Sequence, residues 1–217
     1  MAVIKIDIIS DAICPWCFIG YRNLQRAIQL YQKTYPGGSK DVFDITWKPY
    51  FIDQVPRGSE LVQDRMLRRM SPEMVHGAQM RLKRVGTSAG IDFKFGGWIG
   101  STRRAHQLLY LARKESSELQ CQLSEKLFQY QFEKEADISR PEVLVEAAVQ
   151  AGIPEERVKG WLASDEGMKE TEEETKQIKE SGIVGVPHFI IGETQHLQGA
   201  EDMEELFQAF IAAREGK

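Results

Sequence analysis

The sequence lacks long hydrophobic runs, an excess of basic charge and all but a few cysteines. No apolar stretch in its 217 residues reaches the roughly 18 residues that a membrane-spanning helix needs. Lys and Arg number 28 against 32 Asp and Glu, and this balance disfavours general binding to nucleic acids. The first ten residues lack the basic start and apolar centre of a secretory signal. We therefore expect a soluble, cytoplasmic protein with neither membrane nor nucleic acid as a partner.

Three cysteines are too few to staple a chain of this length, but two of them form the motif Cys14-Pro15-Trp16-Cys17. In an intracellular chain this spacing indicates redox chemistry. A structural zinc site would need a second pair of ligands at short spacing. Cys121 and the histidines are scattered, so we expect no metal. The alternative that both motif cysteines are only small buried apolar residues stays open.

The first fifty residues predict a β-α-β unit. Val3 to Ile9 is rich in Ile and Val, which is typical of a strand. Pro15 suits the first turn of a helix, and the sequence Pro-Gly-Gly-Ser at 36–39 ends that helix. Residues 43–48 alternate between apolar and polar, which predicts a second strand. The connection is long enough for a right-handed crossover between parallel strands.

From about residue 53 to about residue 164 the apolar residues recur almost throughout at helical spacing, which predicts an inserted helical bundle. Pro72, Pro141 and Pro154 each occur where a new helix could begin. The glycine-rich residues 95–100 predict a loop between two of these helices.

The remaining residues predict the order α-β-β-α. A helix follows Ser164 and ends at Ser181-Gly182, and a short strand with a hairpin partner comes next, before a last helix. The predicted fold class is therefore α/β, with a large all-helical insertion. Residues 1–52 and 165–217 would form one domain, and residues 53–164 would form the inserted domain.

Charge is distributed unevenly along the chain. Residues 57–104 carry ten Lys or Arg against four acids, and residues 165–180 carry seven acids against three lysines. Two solvated faces of opposite sign would explain this pattern. The alternative is a basic rim that attracts anionic substrates or acidic polypeptides.

The position of Cys14 favours its role as a nucleophile. A thiol oxidoreductase needs a thiolate, and the N-terminus of a helix stabilises an anion. Cys14 directly precedes Pro15 at the predicted helix start. Cys17 is close enough along the helix to attack a mixed disulfide formed by Cys14 and to release the substrate.

The order of these motifs resembles the DsbA-like thioredoxin superfamily, and within it the FrnE-type branch with its Cys-Pro-Trp-Cys site. The resemblance rests on the segment Ser10 to Cys17, on Gly-Val-Pro-His-Phe at 185–189, on the Ala105-His106 helix start and on Gln-Gly-Ala at 198–200. It covers nearly the whole chain and implies a thioredoxin fold. Ser101 differs from the Asn of that branch, which puts a role for this side chain in doubt.

The resemblance also implies a substrate site around the redox pair. Pro187 would be cis and would lie beside the cysteines, exposing the backbone of Val186 to an extended substrate. Pro15, Trp16 and His106 would line the same site. We expect no metal or organic cofactor, and glutathione or another thiol is a candidate co-substrate.

The predicted function is dithiol–disulfide exchange with protein or small-thiol substrates, with Cys14 as the attacking thiolate and Cys17 as the resolving thiol. One alternative is a glutathione-dependent transferase or isomerase of the kappa or hydroxychromene-carboxylate type, although those relatives use a serine near the first helix. A second alternative is a redox-sensing binding module. A homodimer is compatible with each of these functions.

Overall fold

The computed structural model describes residues 1–53, 58–200 and 202–216. The strands are β1 (Val3–Ser10), β2 (Val42–Pro49), β3 (Glu60–Leu61), β4 (Trp98–Ile99), β5 (His188–Ile191) and β6 (Gln195–Gln198). The helices are α1 (Pro15–Thr34), α2 (Val62–Leu67), α3 (Pro72–Ala89), α4 (Arg103–Glu115), α5 (Ser117–Phe132), α6 (Pro141–Gln150), α7 (Glu155–Ala163), α8 (Met168–Glu180) and α9 (Met203–Glu215).

The main sheet has the strand order β2-β1-β5-β6. β1 pairs with β2 in parallel, from Val3 opposite Val42 to Ser10 opposite Pro49. β5 is antiparallel to both β1 and β6. The predicted α/β fold with its β-α-β start is therefore confirmed, and so are the hairpin and the final helix near the C-terminus.

The first core cluster joins the main sheet to α1 and α9. Ile4, Ile6 and Ile8 of β1 are at most 2% exposed, and they belong to the same cluster as residues of the two helices. Alternation along a strand places these three residues on one face. Because this face is buried, β1 is held in place against the core. The chain leaves the C-terminal end of β1 and continues into α1.

A second core cluster is formed mainly by residues between β2 and α8 in the chain. It includes Leu108, Leu123, Leu127 and Leu144 of α4, α5 and α6, together with Ala12 and Ile13 before α1. Pro72 and Pro141 are the first residues of α3 and α6, as predicted, whereas Pro154 is the residue before α7. The division into a domain of residues 1–52 and 165–217 and an inserted domain of residues 53–164 stays a prediction.

α5 attaches the insertion to the edge strand β2. The side-chain amide of Gln120 accepts a hydrogen bond from the Trp47 backbone N–H at 2.9 Å and donates one to the Trp47 carbonyl at 2.9 Å. The ring of Phe128 stacks on Phe18 of α1 with 5.1 Å between ring centroids. Gln120 therefore pairs backbone groups that an edge strand otherwise leaves open.

The predicted loop at 95–100 contains a short strand, because β4 pairs with β3 in a two-residue antiparallel ladder. The backbone N–H of Val62 also donates to the carbonyl of Gly97. A Cβ on Gly97 would lie 2.8 to 3.0 Å from backbone atoms of Glu135, so glycine permits this close approach. The insertion, predicted to be all helical, thus includes one small sheet.

The basic and acidic segments of the sequence partly neutralise each other. Arg103 of the basic segment pairs with Glu172 of the acidic segment, and Arg104 Nη2 lies 3.4 Å from Asp165 Oδ1. Arg57 of the basic segment lies outside the described residues. The contact between Arg103 and Glu172 joins α4 to α8, so the two charge types are not confined to separate faces.

Within the described residues, no helix combines the length and the apolar character needed to cross a membrane.

Candidate active site

The two motif cysteines lie where β1 leads into α1. Cys14 is the N-cap residue of α1, with φ −94° and ψ 111°, and its carbonyl accepts the backbone N–H of Cys17 at 3.1 Å. Both residues are free thiols. Cys14 is 6% exposed and Cys17 is 0% exposed. Cys14 is therefore the thiol that a substrate can reach first.

The two thiols differ in pKa. A hydrogen bond with the Cys17 side chain lowers the pKa of Cys14 and outweighs the opposing effect of burial, with help from the backbone N–H groups of Cys17 and Trp16. Complete burial raises the pKa of Cys17 well above its ordinary value, and the neighbouring Cys14 adds to this rise. Near neutral pH the thiolate therefore forms preferentially on Cys14.

The loop before β5 completes the site on one side. The peptide bond between Val186 and Pro187 is cis, and the carbonyl oxygen of Val186 lies 3.7 Å from the Cys14 sulfur. Pro187 is buried. A Cβ on Gly20 of α1 would lie 3.3 Å from Pro187 Cγ and 3.0 Å from the Phe189 ring. Glycine at this position therefore allows the loop to lie close to α1.

Trp16 lies on the outer side of the motif. Its side chain is partly buried, and the guanidinium group of Arg81 lies 4.9 Å from the ring centroid. Cation–π contacts of this kind hold both partners in a preferred position. α3 of the insertion thus contacts the redox motif directly.

His106 is 4% exposed and lies in the interior. Its Nε2 is 3.4 Å from Asp11 Oδ1, and its ring contacts the edge of the Phe51 ring. Asp11 Oδ2 accepts the Ile52 backbone N–H at 2.8 Å, and the Asp11 carbonyl accepts the Cys14 N–H at 3.0 Å. His106 is therefore connected to the redox motif through Asp11.

Asp11 is a site residue that the sequence reasoning missed. It is completely buried, and its charge raises the pKa of Cys14. Its position between a predicted strand and a Cys-x-x-Cys motif was the available signal. A buried carboxylate is costly unless it is hydrogen-bonded or paired, so such a residue normally has a specific partner.

Two histidines lie in contact on the β5–β6 hairpin, which follows Pro187. His188 Nε2 and His196 Nδ1 are 3.0 Å apart across the β5–β6 hairpin. His188 is buried, and burial together with the neighbouring His196 lowers its pKa. The two histidines are eight residues apart in the sequence and give no sign of this contact, because strand pairing alone brings them together.

Cys121 lies apart from the pair, on α5. Its sulfur accepts a hydrogen bond from Trp47 Nε1 at 3.4 Å, and burial raises its pKa. Cys121 therefore packs against β2, away from the redox pair. Among the residues that the structure describes, no three His, Cys, Asp or Glu side chains form a group that could hold a metal ion.

The family model of the DSBA-like thioredoxin domain matches residues 5–210. The chain belongs to this family. The resemblance inferred from the Cys14 to Cys17 motif and from Pro187 is thereby confirmed at the level of the family. The prediction of an enzyme of the thiol oxidoreductase class is confirmed at the same level.

Solved structures show how widely this DSBA-like fold is shared. A probable DsbA oxidoreductase from Streptomyces coelicolor has a TM-score of 0.87 and 24% identity, covering 99% of this chain and 91% of that chain. The cytosolic disulfide reductase DsbM from Pseudomonas aeruginosa, solved with GSH, has a TM-score of 0.59 and 17% identity, covering 98% and 96%. At these identities the likeness shows the fold alone.

The DSBA-like fold also occurs in an isomerase. A 2-hydroxychromene-2-carboxylate isomerase has a TM-score of 0.61 and 15% identity, with 96% of this chain and 93% of that chain covered. No curated protein matches the chain. The fold is thus common to disulfide chemistry and isomerisation, and the side chains of the site must distinguish between them.

Proposed function

We propose that this DSBA-like protein is a dithiol–disulfide oxidoreductase that uses Cys14 and Cys17 as its redox pair. The observation that carries the proposal is the contrast between the two thiols. Cys14 is the more accessible thiol, at 6% exposure, and has a lowered pKa, whereas Cys17 is fully buried and has a raised pKa. This arrangement suits a nucleophile and a resolving thiol.

In the proposed reaction, the Cys14 thiolate attacks one sulfur of a substrate disulfide, and the other substrate sulfur leaves as a thiolate. Cys17 then loses its proton to solvent and attacks the Cys14 sulfur of the mixed disulfide. A disulfide forms between Cys14 and Cys17, and the second substrate sulfur leaves. Two electrons pass from the protein to the substrate, and a thiol such as glutathione restores the dithiol.

The residues around the pair have separate proposed roles. The Val186 carbonyl beside the Cys14 sulfur, with Pro187, would bind the backbone of an extended substrate. Pro15 and Trp16 would form the opposite side of the substrate site. His106 would act as a positioning residue, since it lies within 3.4 Å of Asp11 and is buried.

The proposed substrates are proteins or small molecules that contain a disulfide or thiol, and the proposed location is the cytoplasm. The low cysteine content supports this location, as does the fold shared with a cytosolic disulfide reductase that was solved with GSH. We also propose that residues 1–52 and 165–217 form the redox domain and that residues 53–164 select substrates. The homodimer stays a prediction.

Reduction of insulin disulfides by the Cys14→Ser, Cys17→Ala and Cys121→Ala variants tests the proposal. We expect no catalysis with Cys14→Ser, loss of multiple turnover with Cys17→Ala, and wild-type rates with Cys121→Ala. Wild-type activity in Cys14→Ser would contradict the proposed function. Conjugation or isomerisation that depends on glutathione and persists in Cys17→Ala would instead indicate a transferase or isomerase.

A further inference from the structure

A cavity of about 220 Å³ lies between the redox motif and the insertion. Ile13 and Pro15, the residues on either side of Cys14, both line it. The cavity therefore reaches the chain on both sides of Cys14, although Cys14 itself is not one of its lining residues. Its walls are mainly apolar and come from both parts of the molecule, namely from Pro15, Met66, Met70, Leu82, Phe95 and Phe132.

The volume indicates the size of the group that fits. A cavity of about 150 Å³ with apolar walls is enough to bind benzene. Typical sites for whole drug-sized ligands are larger, at about 300 to 1,000 Å³. The cavity beside Pro15 therefore suits one ring-sized apolar group and leaves the rest of a ligand outside.

The polar groups of the cavity indicate the remaining chemistry. Arg65, Arg69 and Lys94 line it, and no carboxylate does so among the described residues. Arg65 is engaged by a two-point ion pair with Asp53. The side chains of Arg69 and Lys94 are exposed. The Asp92 carboxylate is 3.9 Å from the Lys94 ammonium group, which is a long distance for an ion pair. Two cations at the edge of the cavity thus favour an anionic ligand.

Gln131 lines the cavity with an amide that is held in place by the backbone of β4. Its side chain is 3% exposed, and its Nε2 donates to the Trp98 carbonyl at 2.8 Å, which fixes the orientation of the amide. Its Oε1 is buried and has no hydrogen-bond partner among the described residues. That oxygen is closed to solvent, so Gln131 contributes a side chain of fixed orientation to the cavity wall and no open acceptor.

We infer that this cavity is the substrate site for a small organic disulfide or thiol that carries one ring-sized apolar group and an anionic group. The ring would occupy the apolar walls, and the anionic group would lie near Arg69 and Lys94. The substrate sulfur would then lie at Cys14, beside Pro15. This inference rests on the proposed dithiol–disulfide exchange and adds the substrate class to it.

Single-turnover reduction of three small disulfides tests the inference. The reduced protein is mixed with 5,5′-dithiobis(2-nitrobenzoate), which is aromatic and anionic, with 4,4′-dithiodipyridine, which is aromatic and neutral, and with bis(2-hydroxyethyl) disulfide, which is aliphatic and neutral. Each variant is compared with the wild type on the same disulfide, so differences in intrinsic reactivity cancel.

The double variant Arg69→Gln/Lys94→Gln tests the anionic group. We expect its rate with the anionic aromatic disulfide to fall about fivefold or more, and its rates with both neutral disulfides to stay within about twofold. The matched control is Lys83→Gln/Arg84→Gln, which removes the same charge from exposed positions of α3 and should leave all three rates unchanged. Equal losses in both double variants would overturn the inference, because net charge alone would then explain them.

Met70→Trp tests the apolar walls by filling the cavity. We expect both aromatic disulfides to react several times more slowly, with no change for bis(2-hydroxyethyl) disulfide. Unchanged aromatic rates in a folded Met70→Trp protein would overturn the inference. Slower insulin reduction with unchanged aromatic rates would also overturn it, since the cavity would then hold a polypeptide side chain. If the wild-type protein reduces none of the disulfides, the proposed function itself fails.

Discussion

At the residue level, Cys14 and Cys17 lie within one helical turn, yet their surroundings change their thiol pKa values in opposite directions. The largest effect on the pKa of Cys14 is the hydrogen bond with the Cys17 thiol. The largest effect on the pKa of Cys17 is burial. The N-terminus of α1 adds the positive end of a helix dipole at Cys14. Each thiol thus depends on the other for its reactivity.

Replacing Cys17 with alanine should raise the pKa of Cys14, because the largest lowering effect on this thiol is lost. Cys14 is alkylated as a thiolate, so the midpoint of its alkylation rate against pH reports its pKa. We expect a wild-type midpoint below the ordinary thiol value and a higher midpoint in Cys17→Ala. The matched control, Cys121→Ala, should keep the wild-type midpoint. An unchanged or lower midpoint in Cys17→Ala would show that Cys17 does not stabilise the thiolate.

Asp11→Asn should have the opposite effect on Cys14. The negative charge of Asp11 raises the pKa of Cys14, and asparagine removes this charge while keeping an oxygen for the Ile52 N–H. We expect a lower alkylation midpoint and faster alkylation near neutral pH. Asp44→Asn on β2 serves as a control and should not shift the midpoint. A rise in the Asp11→Asn midpoint would mean that the carboxylate acts mainly by holding His106.

The sequence predicted the residues of the site that share one short motif. Cys14, Cys17 and the helix start after Cys14 follow from local spacing, which is visible without a structure. The contact between Asp11 and His106 joins residues far apart in the chain, and no local pattern reports it. The same holds for His188 and His196, which only the hairpin register brings together.

At the level of elements, the contact between α1 and the Pro187 loop sets the geometry around the cysteines. Gly20 provides the space for this contact, since a Cβ there would come within 3.0 Å of Phe189 and 3.3 Å of Pro187. A methyl group at this position requires the Phe189 and Pro187 side chains to shift by a few tenths of an ångström. Overpacking of this kind typically costs about 1–3 kcal/mol.

We therefore expect Gly20→Ala to lower the free energy of unfolding by about 1–3 kcal/mol and to slow disulfide reduction. Gly77→Ala on α3 is the matched control, because a Cβ there has open space around it. That variant should be as stable as the wild type or more stable by up to about 1 kcal/mol. Urea unfolding and insulin reduction measure both effects. A Gly20→Ala protein with wild-type stability and activity would show that the contact is unimportant.

Most element boundaries were predictable because proline and apolar spacing give local signals. Pro15, Pro72 and Pro141 each begin a helix, as predicted. β3 and β4 escaped prediction because two residues are too few to show alternation. Their pairing joins residues that are far apart in the chain, and no local pattern reports it.

At the level of the whole molecule, aromatic rings connect the insertion to the sheet. Phe128 of α5 stacks on Phe18 of α1, and it also lies 5.8 Å from Trp47 of β2. Phe132 of α5 contacts Phe18 at 6.3 Å between centroids. These rings belong to the core cluster of the sheet or pack against it, although α5 belongs to the inserted segment.

We therefore expect the whole chain to unfold in one cooperative transition, despite the predicted division into two domains. Calorimetry should give a calorimetric enthalpy equal to the van't Hoff enthalpy. Phe128→Ala should lower the free energy of unfolding by about 3–5 kcal/mol, because it leaves a cavity where the two parts meet. Two separate transitions in the wild-type protein would contradict this expectation.

The change of periodicity near residue 53 revealed the insertion, but the sequence did not reveal how the insertion contacts the redox unit. Its aromatic residues look like ordinary core residues of a helix, and their partners are distant in the chain. The basic segment is a similar case. Arg103 pairs with Glu172, whereas Arg69 and Lys94 line the cavity beside Pro15.

Trapping of the mixed disulfide tests the central claim most directly. Cys17→Ala is incubated with an excess of a disulfide substrate, and the adduct is located by peptide mass spectrometry. Without the resolving thiol, the account predicts a stable mixed disulfide on Cys14 in nearly every molecule, and none in Cys14→Ser/Cys17→Ala. An adduct on Cys121, or no adduct at all, would contradict the assignment of Cys14 and Cys17 as a redox pair.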